Sequence, residues 1–155
     1  MCEICVNGKK LEKNNNRDNS DCRLKYYNDH LKLNVIQKDC YKNTLLNLKN
    51  YECVVVMDFK QNFKIGGGPI EISQSFYNKS SVSCLGFMVV KNIDADIKRE
   101  YFNYLSEIIS HDSFFVKKCL SRLEKDVLNS YSKIHFWSDN GRHFRSQELK
   151  NFILL

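Results

Sequence analysis

Hydrophobic positions change their spacing several times along the chain, and each change marks an element. From Cys22 to Lys49, Leu24, Tyr27, Leu31, Val35 and Ile36 recur at three- and four-residue steps, followed by Cys40, Tyr41, Leu45 and Leu48. That spacing predicts one interrupted helix or two shorter ones. "YECVVVMDF", 51 to 59, is apolar on both faces and predicts a central, doubly covered strand. "FKIGGGP", 63 to 69, breaks the chain with three glycines and its single proline. "IEISQSFYN", 70 to 78, partly alternates, and "VSCLGFMVVK", 82 to 91, reads as a third strand. Short links between three strands predict an antiparallel meander. "REYFNYL", 99 to 105, is open between a further strand and a helix start. "SHDSFFVKKCLSRLEKDV", 110 to 127, is a helix that Asp112 or Ser113 can cap, with Phe115, Val116, Cys119, Leu120 and Leu123 on its apolar face. "KIHFWSD", 133 to 139, is a strand after a helix, and so predicts a parallel crossover. "HFRSQELKNFILL" closes the chain as a helix with Leu149, Phe152 and Ile153 inward.

This order predicts an α/β fold: a mixed sheet of three antiparallel strands and then a parallel one, with flanking helices. The first strand is central and the late strand lies parallel beside it. Residues 1 to 50 form a helical, cysteine-containing accessory segment, and 51 to 155 the main domain. "KNNNRDNSD", 13 to 21, reads as a loop or a frayed helix start.

Composition adds modest constraints. The 155 residues suffice for one domain with a real core. No apolar run is long enough to cross a bilayer. "MCEICVNGKK" lacks the basic-then-apolar order of a signal peptide, so an intracellular protein is the expectation. The seven cysteines are scattered and read as reduced thiols, with Cys53, Cys84 and Cys119 in the core. A formal net charge of +6 favours encounter with a polyanion.

Asp58 and Asp139 carry the candidate chemistry. Each follows a hydrophobic strand. If those strands run parallel and side by side, both carboxylates emerge at one sheet edge. Two such carboxylates repel unless a cation joins them, and Mg²⁺ takes hard oxygen ligands while leaving places for water and phosphate. The competing reading is a plain turn, because Asn140-Gly141 is a strong turn signal on its own. His143 and Arg145 follow the second Asp and are placed either to meet a phosphate or to form a solvated helix start. His111 and Asp112 read as a satisfied polar residue and an N-cap, or as groups that support the acids or face DNA. The GGGP link lacks the Gly-Lys-Ser/Thr ending of a phosphate loop. Cys2 and Cys5 form one CxxC, half a zinc site, which Cys22 and His30 could complete; free thiols are the alternative.

"VVVMDFKQN", the three-strand pattern after it, and "IHFWSDNGRHFRS" together resemble the catalytic cores of DDE-type transposases and retroviral-like integrases, of ribonuclease-H-like fold. The resemblance covers about Tyr51 to Leu155. It implies a transposable-element origin and metal-dependent cutting and joining of DNA. Asp58 matches the first acid and Asp139 the second, holding Mg²⁺ or Mn²⁺. Arg142 stands where that family often has proline, and joins His143 and Arg145 as a candidate nucleic-acid contact. The family's third acid lies on a helix after one more strand. This chain stops before it, and Glu148 is expected on a helix flank. The resemblance therefore implies a core truncated at the C-terminus, weak ion binding and poor catalysis. A non-catalytic remnant that binds nucleic acid or protein is the alternative. DNA is the expected partner and the nucleus the expected location if the resemblance is functional. The open sheet edge and an exposed apolar face predict self-association.

Overall fold

A computed structural model describes residues 22–65, 79–94, 96–139 and 141–154. The expected strand at 70–78, the loop at 13–21, most of the glycine link, and Cys2 and Cys5 lie outside the described residues. The chain divides into two units, Met1–Asn47 and Leu48–Leu155.

The described part of the first unit is one uninterrupted helix, α1 (Cys22–Leu46). Tyr27 is its buried position, and Leu24, His30, Asn34 and Tyr41 are half-buried at helical spacing around it. Leu31, Val35 and Ile36, assigned to the apolar face from their spacing, are exposed at 38%, 58% and 56%. The three- and four-residue steps allowed more than one stripe, and the buried one runs through Leu24 and Tyr27.

The second unit is an α/β domain. Its elements are β1 (Glu52–Ile65), β2 (Ser80–Ile93), β3 (Asp96–Ser106), α2 (Ser113–Asp126), β4 (Lys133–Ser138) and α3 (Gln147–Ile153), with 3₁₀ turns at Leu128–Ser130 and Arg142–Phe144. The sheet order is β3-β2-β1-β4. β1 pairs antiparallel with β2, from Cys53 opposite Lys91 to Ile65 opposite Ser80, and β2 pairs antiparallel with β3. β4 pairs parallel with β1, from Glu52 beside Lys133 to Met57 beside Ser138. The segment 99–105 resolves as strand. Its Phe102 and Tyr104 pack on the core while Tyr101 and Leu105 face out, an alternation of period two.

One face of the sheet and the two helices make the core. Cys53, Val55 and Met57 of β1 meet Leu85, Phe87 and Val89 of β2, and are covered by Val116, Cys119, Leu120 and Leu123 of α2 and Leu149 of α3. Val54 and Val90, on the opposite face of the same strands, are also fully buried, as the unbroken apolar run of β1 requires. Burial raises the thiols of Cys53 and Cys119 to about 11, which makes them inert core groups. Asp112 caps α2, its Oδ1 accepting from Phe115 N–H at 2.8 Å. Ser146 caps α3 by accepting from Leu149 N–H at 3.1 Å.

β1 runs six residues past the expected end near Phe59. Its pairing with β4 stops at Met57, but its hairpin with β2 continues to Ile65, across a register irregularity between Lys60 and Phe63. Beyond Phe59 the strand pairs, among the described residues, with β2 alone and becomes mostly exposed, so the apolar signal fades while the ladder persists.

Candidate metal centre at the β1–β4 edge

The parallel register fixes the two acids. Met57 and Ser138 are the last paired residues, and Asp58 and Asp139 follow them directly on adjoining strands. Asp58 is therefore one residue past the last rung on a strand that continues, and Asp139 is the first residue after β4 ends. Both are exposed at this edge. Partial burial raises the Asp58 carboxyl above its ordinary value, and the negative charge of Asp139 raises it further. The Phe59 N–H and the His143 ring act in the opposite direction. Asp139 is thus near enough for its charge to act on Asp58.

Asp139 also makes a turn. Its Oδ1 accepts from Gly141 N–H at 2.9 Å, closing an Asx-type loop just after the strand. The turn reading holds for this residue. Gly141 has ordinary extended dihedrals, φ −61° and ψ 146°. What glycine supplies is space: a Cβ there would lie 2.6 Å from His143 Cε1 and 2.9 Å from Asp139 Oδ1.

His143 turns inward over the acids. Its Nε2 stands 3.9 Å from Asp139 Oδ1, too far for a hydrogen bond, and is buried with no hydrogen-bond partner among the described residues. Burial lowers its pKa below the ordinary histidine value, so the ring favours its neutral form. Phe59 is the platform. His111 stacks on it with centroids 4.1 Å apart and planes 11° apart, and His143 meets it edge-on at 4.7 Å. His111 Nε2 is bonded to Asn62 Oδ1 at 3.0 Å, which ties the start of α2 to the outer half of β1.

The candidate site residues that lie among the described ones have definite places. Asp58, Asp139 and His143 come together. Arg142 and Arg145 flank them on the 3₁₀ turn and are exposed. Glu148 lies on the flank of α3, as expected, paired with Lys117 Nζ at 2.9 Å. His135 is half-buried, 3.6 Å from the nearly buried Glu52 carboxylate. Phe59 had no functional reading in sequence, and His111 had only a weak one. The sole signal for either was a histidine before a helix cap.

No group of three or more His, Cys, Asp or Glu side chains suited to hold a metal ion occurs among the described residues. A pair of carboxylates is still a donor set that fits Mg²⁺ or Mn²⁺, because Mg²⁺ keeps several waters and is commonly held by one or two carboxylates plus phosphate. The mutual repulsion of Asp58 and Asp139 is the feature a cation would relieve. No described helix is long and apolar enough to cross a membrane.

Fold and site together define an α/β domain with a mixed four-stranded sheet and an acid pair at the edge of its parallel strands. Residues 37–155 match a family described as a domain of unknown function, DUF8701, and the chain belongs to that family. No curated protein and no solved structure matches the chain.

Proposed function

We propose that residues 51–155 are the part of a ribonuclease-H-like core, of the DDE-transposase and retroviral-integrase kind, that carries its first two acids. The observation that supports this most is the register: parallel strands β1 and β4 deliver Asp58 and Asp139 to adjoining positions at one edge. Asp58 and Asp139 would hold the ion, Mg²⁺ or Mn²⁺. Bound there, it would polarise a phosphoryl oxygen and favour a hydroxyl or water nucleophile. The chain's own residues do the rest. Phe59 and His111 fix the His143 ring, and Gly141 N–H fixes one oxygen of Asp139. Arg142 and Arg145, exposed beside the acids, meet backbone phosphates. Two carboxylates hold such an ion weakly, so DNA binding is the first property to test. On this reading the nucleus is the expected location.

Fluorescence anisotropy of labelled duplex DNA tests this. Affinity should fall steeply with salt, and the Arg142→Ala/Arg145→Ala double variant should bind more weakly with a shallower salt slope. A flat salt response, or unchanged binding by the double variant, contradicts the proposal. Salt-dependent binding that is indifferent both to Mn²⁺ and to Asp58→Ala would leave a non-catalytic nucleic-acid-binding domain in its place.

A further inference from the structure

The Nε2 atom of His143 is buried and has no hydrogen-bond partner among the described residues. A buried polar atom left unpaired is costly, and its surroundings show what could pair with it. The ring is wedged in place: Phe59 meets it edge-on at 4.7 Å, and Phe144 packs against it at 4.2 Å. The His143 side chain is 17% exposed, whereas that of Asp139 is 61% exposed, so Asp139 is the partner free to move. Nε2 and Asp139 Oδ1 stand 3.9 Å apart, about 1 Å beyond hydrogen-bond length. Glycine at 141 keeps that gap clear, since a Cβ there would lie 2.7 Å from Nε2 and 2.9 Å from Oδ1. The same Oδ1 already accepts from Gly141 N–H at 2.9 Å.

We propose that His143 is a positioning residue of the acid pair: when a divalent ion is bound, its Nε2–H donates to Asp139 Oδ1. Two donors then anchor one oxygen, and Oδ2 is left to the ion. An exposed carboxylate at a strand end has rotamer freedom to lose, and a second anchor lowers the cost of ordering it. Hydrogen bonds to a carboxylate are charge-assisted, and such bonds orient the carboxylates that hold metals. The inference rests on the reading of Asp58 and Asp139 as ion ligands. The competing role is plain packing of the ring against Phe59 and Phe144. His143→Phe separates the two, because it keeps a ring and has no nitrogen.

A Mn²⁺ titration followed by electron paramagnetic resonance, on wild type, His143→Phe and His143→Gln, with urea unfolding of each in a chelator, tests this. His143→Phe should bind Mn²⁺ about tenfold more weakly or worse, the loss typical when a group that orients a metal ligand is removed. His143→Gln, which returns an N–H donor, should recover most of it. In the chelator the urea midpoint of His143→Phe should equal or exceed that of wild type, because the ion-free protein has no Nε2 hydrogen bond to lose. NMR of the wild-type imidazole nitrogens with Mg²⁺ should find hydrogen on Nε2. Wild-type affinity in His143→Phe overturns the inference and leaves the acid pair standing. A weaker His143→Phe whose midpoint also falls in the chelator, unrescued by His143→Gln, marks a packing role and overturns it too, as does an Nε2 without hydrogen. No Mn²⁺ binding by wild type removes the reading of the acid pair, and this inference with it.

Discussion

At Gly141 the space beyond Cα is already filled by the His143 ring and the Asp139 carboxylate. Gly141→Ala must displace one of them, at a cost of about 1–3 kcal/mol, the usual range for overpacking. Removing the ring first should erase most of that cost. A urea double-mutant cycle of Gly141→Ala and His143→Ala reads the coupling directly. Asp58 makes the opposite prediction. Its folded pKa is raised, so the folded state holds the proton more tightly than the unfolded state. Its favourable contribution is full below the unfolded value and is lost as pH rises through the folded one. At neutral pH the ionised pair is a liability, and Asp58→Asn should raise the urea midpoint. Mn²⁺ should raise the wild-type midpoint and leave the variant unmoved. At this scale the acids were legible, because Asp58 follows an apolar run and Asp139 precedes Asn140-Gly141. The Phe59–His111–His143 assembly was not. Its members are scattered over 85 positions, and only the β1–β4 register and the capped start of α2 bring them together.

Elements were readable where local pattern and tertiary burial agree. β4, α2 and the apolar half of β1 are such cases: one face, or both, is fixed by the core. β3 was ambiguous because its partner on β2 selects strand over helix, and nothing in "REYFNYL" itself encodes that neighbour. On α1, spacing alone did not choose among overlapping stripes, and Leu31, Val35 and Ile36 are exposed. Two helices invite tests. Asp112 holds the first turn of α2, and its carboxyl lies below the ordinary range because Phe115 N–H bonds the charged form. The cap's contribution is present above the unfolded value and is lost as pH falls through the folded one. Asp112→Ala should cost about 1 kcal/mol at neutral pH, and the difference should vanish in strong acid, as urea unfolding at several pH values would show. α3 has seven residues and one fully buried anchor, Leu149. Leu149→Ala should cost about 2–5 kcal/mol, whereas breaking the exposed Lys117–Glu148 pair should cost under about 1 kcal/mol. Thermal and urea unfolding of both variants separate a packing clamp from an electrostatic one.

For the molecule as a whole, topology matters more than any single motif. The crossover through α2 makes β4 parallel to β1, and that direction alone sends Asp58 and Asp139 to the same edge. Had β4 returned antiparallel, the acids would stand at opposite ends of the sheet. On the proposed reading, the +6 charge favours encounter with a polyanion, and exposed Arg142 and Arg145 are where it would be met. The central claim is that this edge takes a divalent cation between two strand-borne carboxylates. A Mn²⁺ titration followed by electron paramagnetic resonance, on wild type, Asp58→Ala and Asp139→Ala, tests it most directly. Weak, saturable binding by the wild type that disappears in both variants is the predicted result. The same isotherm in all three proteins would contradict it.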